Sequence, residues 1–181
     1  MPEEKETINA DSIKRKINAI RNEKLKLALR LQLQTGLRVK EISELQKDDI
    51  KLKDGKIFVH VKYGKGKGEK ENEPNPRDVT AREDNYLYDR LGQLLENSSS
   101  EEKLFYCKDY IRHKAEKYGI ETHDLRRINA QERFDDLTKS GLKRMEAKEI
   151  IREQLGHTDM EYTNLYLNKK KIAKKPKKVK K

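Results

Sequence analysis

Two arginines, two histidines, a lysine run and a late tyrosine are the side chains of this sequence best suited to chemistry on a phosphodiester. Arg38 stands in TGLRVKEISEL (35–45), the lysines in GKGKGEK (64–70), His123, Arg126 and Arg127 in HDLRR (123–127), and His157 and Tyr166 in LGHTDMEYTNLY (155–166). A phosphodiester carries one negative charge, and more builds on its oxygens as a nucleophile adds. Guanidinium groups present forked donors matched to two phosphate oxygens, so two arginines aimed at one phosphate would stabilise the pentacoordinate state by electrostatics alone. A phenol ionises near pH ~10 and needs a base, or a strongly positive site, before it can attack. His123 lies three residues before Arg126, which puts both on one face of a helix. A lysine on a glycine-rich tip has the reach to protonate a leaving oxygen. No His/Cys cluster or EF-hand-like acidic loop offers a metal site, and no cofactor is expected.

Each residue also has a plainer reading when taken alone. Arg38 is then a solvated surface charge, the Lys-Gly run a hairpin tip, His123 a helix N-terminal residue, and Tyr166, four after Tyr162, part of a core stripe. The ordered set weighs against those readings. An arginine in a TGLR-type turn, a lysine in a hairpin tip, H-x-x-R on a helix, then LGH with a tyrosine nine residues after that histidine resembles the tyrosine recombinase family, which includes phage integrases and the Xer resolvases. The resemblance spans residues 12–167. It implies that Arg38 and Arg126 are the catalytic arginines, that Glu41 is a supporting acid and that Tyr166 is the nucleophile, with Tyr162 as a second candidate. It makes His123 the general acid/base near the attacking oxygen and His157 a hydrogen-bond donor to a phosphate oxygen. Lys67 matches the hairpin lysine, and Lys65 stays open because GKGKG permits a two-residue slide. Lys65, Lys70 and Arg127 are expected to contact DNA. The implied activity is site-specific cleavage and rejoining of double-stranded DNA through a 3′-phosphotyrosine, leaving a free 5′ hydroxyl. The implied protein is a monomer when free and a homotetramer on recombining DNA. The rivals are type IB topoisomerase-like relaxation, telomere resolution, and a noncatalytic basic protein that binds nucleic acid.

The elements that must hold these groups are legible from periodicity. Asp11 or Ser12 is expected to cap a helix carrying Ile13, Ile17 and Ile20. Leu25, Leu27, Leu29, Leu31 and Leu33 alternate as in a strand, but the fillers between them favour helix, and Gly36 is placed to end it. Val39 to Leu45 reads as a short helix. Asp49 to Leu52, Asp54-Gly55 and the period-two run Ile57, Val59, Val61 read as a β-hairpin. Residues 69–78 are polar and proline-containing, so a third strand there can only be an edge strand. Helices are expected over Asp84 to Glu96, Lys108 to Tyr118, His123 to Lys139 with Thr122 as cap, and onward to Leu155 with Gly156 as stop. A last short helix is expected from the capping-box spacing of Thr158 and Glu161. The fold class expected is α+β, mainly helical, with a small antiparallel sheet of about three strands.

The bulk numbers bound the rest. The 181 residues suit one domain, with charged residues at 41% and hydrophobic ones at 33%. The net charge of +11 is concentrated at one end, because residues 169–181 hold nine lysines and no acid. Any DNA footprint on the body must therefore come from local clusters. The organisation expected is a disordered lead-in over 1–10, a catalytic domain over 11–168 and a basic tail over 169–181. The tail is read as a nonspecific phosphate contact, weakened by salt. The other readings are a solubilising end, or a segment beginning at Leu165 and Leu167 that docks on a neighbouring protomer. A single cysteine, Cys107, excludes an internal disulfide and fits a reducing compartment, and the family resemblance implies a cytoplasmic, nucleoid-associated setting. No run of 18 apolar residues is present to span a membrane. Family members usually carry an N-terminal helical DNA-binding domain, and only residues 1–22 precede the catalytic helices here. The chain is therefore read as an excised fragment or as an unusually small parent.

Overall fold

The computed structural model describes residues 9–62 and 76–167. The order is α1 (Ala10–Asn18), α2 (Glu23–Thr35), α3 (Val39–Glu44), a 3-10 turn (Lys47–Asp49), β1 (Ile50–Lys53), β2 (Lys56–Val61), β3 (Arg77–Thr80), α4 (Asn85–Glu96), α5 (Lys108–Lys117), α6 (Thr122–Lys139), α7 (Arg144–Leu155) and α8 (Met160–Leu167).

The alternating leucines form a helix because α2 is central. Leu25, Leu27, Leu29, Leu31 and Leu33 are all buried, and the half-exposed Glu23, Lys26, Arg30 and Gln34 keep to one narrow stripe at helical spacing. Here α2 lies against α1, α3, α4 and α6. Its end is fixed by Gly36, which takes the left-handed conformation at φ 74°. A Cβ there would sit 2.7 Å from both Asn129 Oδ1 and Leu155 Cδ2, so glycine serves both the turn and the close approach of α6 and α7.

The hairpin forms as expected. Asp54 and Gly55 both have positive φ, as a two-residue type I′ turn requires. The register pairs Leu52 with Ile57 and Ile50 with Val59, which turns Ile57, Val59 and Val61 into the core. Residues 69–75 lie outside the described residues; among those described, Arg77–Thr80 pairs with β2 as the third strand, through Val59↔Val79 and Val61↔Arg77, and Val79 is its buried anchor. The sheet order is β1-β2-β3, with β3 at an edge.

Three helix starts differ from expectation. Asn9, not Asp11 or Ser12, caps α1 by accepting from the Ser12 amide at 3.1 Å. Thr122 is the first residue inside α6, behind an N-cap at Glu121. At α8, Asp159 Oδ1 accepts from the Glu161 amide at 3.0 Å and replaces the Thr158–Glu161 box. In each case the neighbouring side chain or backbone satisfies the first turn, and spacing alone does not choose between adjacent caps.

The main core joins α1 to α6 and the sheet. A second cluster of Ala130, Phe134, Ala147, Ile151, Leu155 and Tyr166 joins α6, α7 and α8. Arg133 ties the ends of α2 and β3 together, donating to Gln34 O at 3.1 Å and Thr80 O at 2.8 Å. Among the described residues, no helix is long and apolar enough to cross a membrane.

Candidate active site

The α7 helix stops at Gly156, in the left-handed conformation at φ 71°. The last carbonyls of a helix have no partner within it and carry the negative end of its dipole. The Leu155 carbonyl is one of these, and three guanidiniums reach it: Arg126 at 3.2 Å, Arg77 at 3.4 Å and Arg38 at 3.5 Å. The second pin is Glu41, buried on α3. Arg77 grips its carboxylate in a fork, at 2.6 and 2.9 Å. Arg38 and Arg126 each lie 3.8 Å from its Oε1. Glu41 also accepts from the Arg38 amide at 2.9 Å, which fixes the turn from α2 into α3. Burial alone would push the Glu41 carboxyl up, but the Arg77 hydrogen bonds and the surrounding charges hold it below the usual carboxylate range.

Arg126 projects from α6 with 2% of its surface exposed. It donates to Gly36 O at 2.8 Å, so the TGLR turn and the H-x-x-R helix are bonded to each other. On the same face His123 Nε2 sits 3.2 Å from the Tyr166 hydroxyl, and the two rings meet edge-on at 5.4 Å. His157 is buried. Its ring lies edge-on to Tyr166 at 4.8 Å, with Nε2 3.4 Å from Arg126 Nη2 and Nδ1 3.0 Å from Thr163 Oγ1. The guanidiniums of Arg126 and Arg127 stand 5.7 and 5.9 Å from the Tyr166 ring centre. Arg38, Glu41, His123, Arg126, Arg127, His157 and Tyr166 are thus brought together. Lys65, Lys67 and Lys70 lie outside the described residues. The flanking positions Val61 and Arg77 pair across the sheet, and Arg77 reaches into the site.

Electrostatics mark the cleft as short of negative charge. Burial, then Arg126, pulls Arg38 down to about 10, still a cation at neutral pH. Burial, then Arg127, Arg126 and Arg38, lowers His123. Burial, then Arg126, Arg38 and Arg77, pushes His157 down to about 3. Both imidazoles are therefore neutral at pH 7. A neutral His123 can accept the phenolic proton.

These shifts fix the pH dependence of stability. His157 titrates near 6.5 when unfolded and near 3 when folded, so between those values the unfolded chain holds the extra proton. The stability this neutral ring permits is intact above pH 6.5 and erodes on acidification. Glu41, depressed from 4.5, adds a loss of the same sign below that value. The melting temperature should fall from pH 7 to pH 4, and His157→Gln should flatten the fall between about 6.5 and 4.5.

Arg77 is the residue that motif reading missed. It lies in the polar stretch PNPRD, where nothing periodic singles it out. The one available signal was its place two residues before Val79, which puts both on one face of a strand. Gly156 is its counterpart, since a Cβ there would lie 2.8 Å from the Arg77 Cζ. Arg77→Ala strips Glu41 of its forked partner and should cost about 3 kcal/mol in a urea titration.

The sequence model of the phage integrase family matches residues 6–172. No curated protein is matched. Among solved structures, XerA recombinase is similar at TM-score 0.66 and 20% identity, over 93% of this chain and 62% of that one. A lambda integrase tetramer bound to a Holliday junction gives TM-score 0.62 at 14% identity, over 99% and 52%. The catalytic domain of bacteriophage HP1 integrase gives 0.56 at 21%, over 91% and 88%. The chain therefore spans less than two thirds of XerA recombinase and about half of lambda integrase.

Proposed function

This chain belongs to the phage integrase family, and from that membership and the geometry of the cleft we propose that it cleaves and rejoins DNA strands at specific sites through a 3′-phosphotyrosine. The observation that carries the reading is the convergence of two guanidiniums, from Arg38 and Arg126, on shared oxygens beside a tyrosine hydroxyl that already touches an imidazole.

A scissile phosphate entering this cleft meets more cationic than anionic charge. Arg38 and Arg126 bind its nonbridging oxygens and strengthen their hold as charge builds in the pentacoordinate state. The Tyr166 hydroxyl passes its proton to His123 Nε2 and attacks phosphorus. His157 donates to a nonbridging oxygen. The P–O5′ bond breaks, and Lys67, or Lys65, gives the departing oxygen its proton. The bond energy stays in the protein link, so a 5′ hydroxyl from a partner duplex can reverse the attack without ATP. Arg127, Lys65 and Lys70 contact the flanking DNA, and residues 169–181 add salt-sensitive phosphate contacts. The partner is double-stranded DNA. The lambda integrase tetramer on a Holliday junction supports a tetramer as the assembly that exchanges strands.

The test starts by capturing covalent protein–DNA junctions from the parent replicon or host genome and sequencing them. A nicked suicide duplex carrying the recovered site should then trap wild-type protein covalently. A trapped protein that relaxes any supercoiled plasmid, or yields hairpin ends, is instead a topoisomerase or a telomere resolvase. Absence of any adduct would leave the noncatalytic reading.

A further inference from the structure

We propose that Thr163 is a positioning residue that makes the hydrogen-bonding state of His157 depend on the seating of the helix that carries Tyr166. The proposal rests on the role given to His157 above. Thr163 lies on α8, three residues before Tyr166, and is 0% exposed. Its hydroxyl faces His157 Nδ1 at 3.0 Å.

The opposite ring nitrogen fixes which way the proton points. His157 Nε2 lies 3.4 Å from Arg126 Nη2, and a guanidinium nitrogen only donates. With the ring neutral, Nε2 is the acceptor and the single proton sits on Nδ1, donated to Thr163 Oγ1. To serve a phosphate oxygen, the ring must carry its proton on Nε2 instead. Nδ1 then becomes an acceptor and needs a donor.

A hydroxyl supports both states by rotating its O–H, accepting from Nδ1 in one and donating to it in the other. A carboxylate or a backbone carbonyl in that place would hold the proton on Nδ1 and bar donation from Nε2. Because Thr163 and Tyr166 arrive on one helix, a site without a seated α8 lacks both the nucleophile and the partner that lets His157 donate. Delivery of the tyrosine and readiness of the histidine are then one event.

The full chain, with 15N-labelled histidine, tests the first half. In wild type the His157 signals should report a protonated Nδ1 and a bare Nε2, and Thr163→Ser should preserve them. Thr163→Val keeps the shape without the hydroxyl, so Arg126 still holds the proton on Nδ1 but Nδ1 loses its partner, and the Nδ1 nitrogen and proton signals should shift and exchange faster with solvent. Unchanged ring signals in the Val variant overturn the proposal. Cleavage of the captured-site duplex tests the second half. Thr163→Val should slow adduct formation about tenfold with DNA affinity held, and Thr163→Ser should restore the rate. In a His157→Phe background the Val substitution should add nothing. Equal slowing in both backgrounds makes Thr163 a packing residue of α8 and sinks the coupling. If wild type forms no adduct at all, the proposed function fails, and the ring-nitrogen measurement still decides Thr163.

Discussion

Tyr166→Phe should form no covalent adduct on a nicked suicide duplex that traps the wild-type chain, while still binding that duplex. The change removes one oxygen from a side chain that is 9% exposed and packed among Leu155, Ile151 and Phe134. The fold loses one hydrogen bond, the 3.2 Å contact with His123, at a cost of about 1 kcal/mol. The chemistry loses its nucleophile entirely, so the two readouts separate. Tyr162 is the control. It lies one turn earlier on α8, is more exposed, and its ring stands 6.1 Å from His157. Tyr162→Phe should keep the adduct. An adduct that persists in the Tyr166 variant and vanishes in the Tyr162 variant would move the nucleophile by one helical turn.

Arg126→Ala should slow cleavage by at least about a hundredfold, the effect of losing roughly 3 kcal/mol of transition-state stabilisation. This guanidinium also supports the fold, through Gly36 O and Leu155 O. The rate must therefore be read per folded molecule, with stability measured alongside. Arg126→Lys sharpens the test, because a lysine keeps the charge and loses the fork. It should recover part of the binding and little of the rate. Arg38→Ala separates the two roles from the other side. Its side chain is 28% exposed and makes fewer anchoring bonds, so its loss should cost rate with little cost in stability. A noncatalytic nucleic-acid binder predicts no change from either substitution and loss of binding when 169–181 is deleted.

How far the site could be read from sequence depended on whether spacing or three-dimensional pairing placed each group. His123 and Arg126 share a helix, and i, i+3 spacing forces them onto one face. The Gly36 and Gly156 stops were visible because only glycine sits easily in the left-handed turn each helix end adopts. The pairing of Arg38 with Arg126 came from ordered motifs alone, and no local rule foresaw that both would meet at a carbonyl. Arg77 was illegible because its importance lies in Glu41 and Leu155, 36 and 78 residues away in sequence. The leucine alternation of α2 misleads by period, since the wide buried face takes in every leucine and leaves a narrow stripe of Glu23, Lys26, Arg30 and Gln34 to reveal the helical repeat. Among the described residues the third strand is Arg77–Thr80, paired with β2 and legible only through the single apolar Val79. The caps of α1, α6 and α8 fell one to three residues from the expected positions, where several polar side chains compete for the same amides.

The meeting of three cations at the Leu155 oxygen bears on how such a site can change over generations. A main-chain oxygen is the one acceptor that no codon change deletes. Drift at position 155 can alter the aliphatic group packed against Tyr166 and leave the anchor in place. What can be lost is the shape of the turn, and an insertion, deletion or proline near 154–156 would shift all three charged heads together. Selection on that turn should therefore act on backbone geometry, and natural null alleles should be enriched there for length changes.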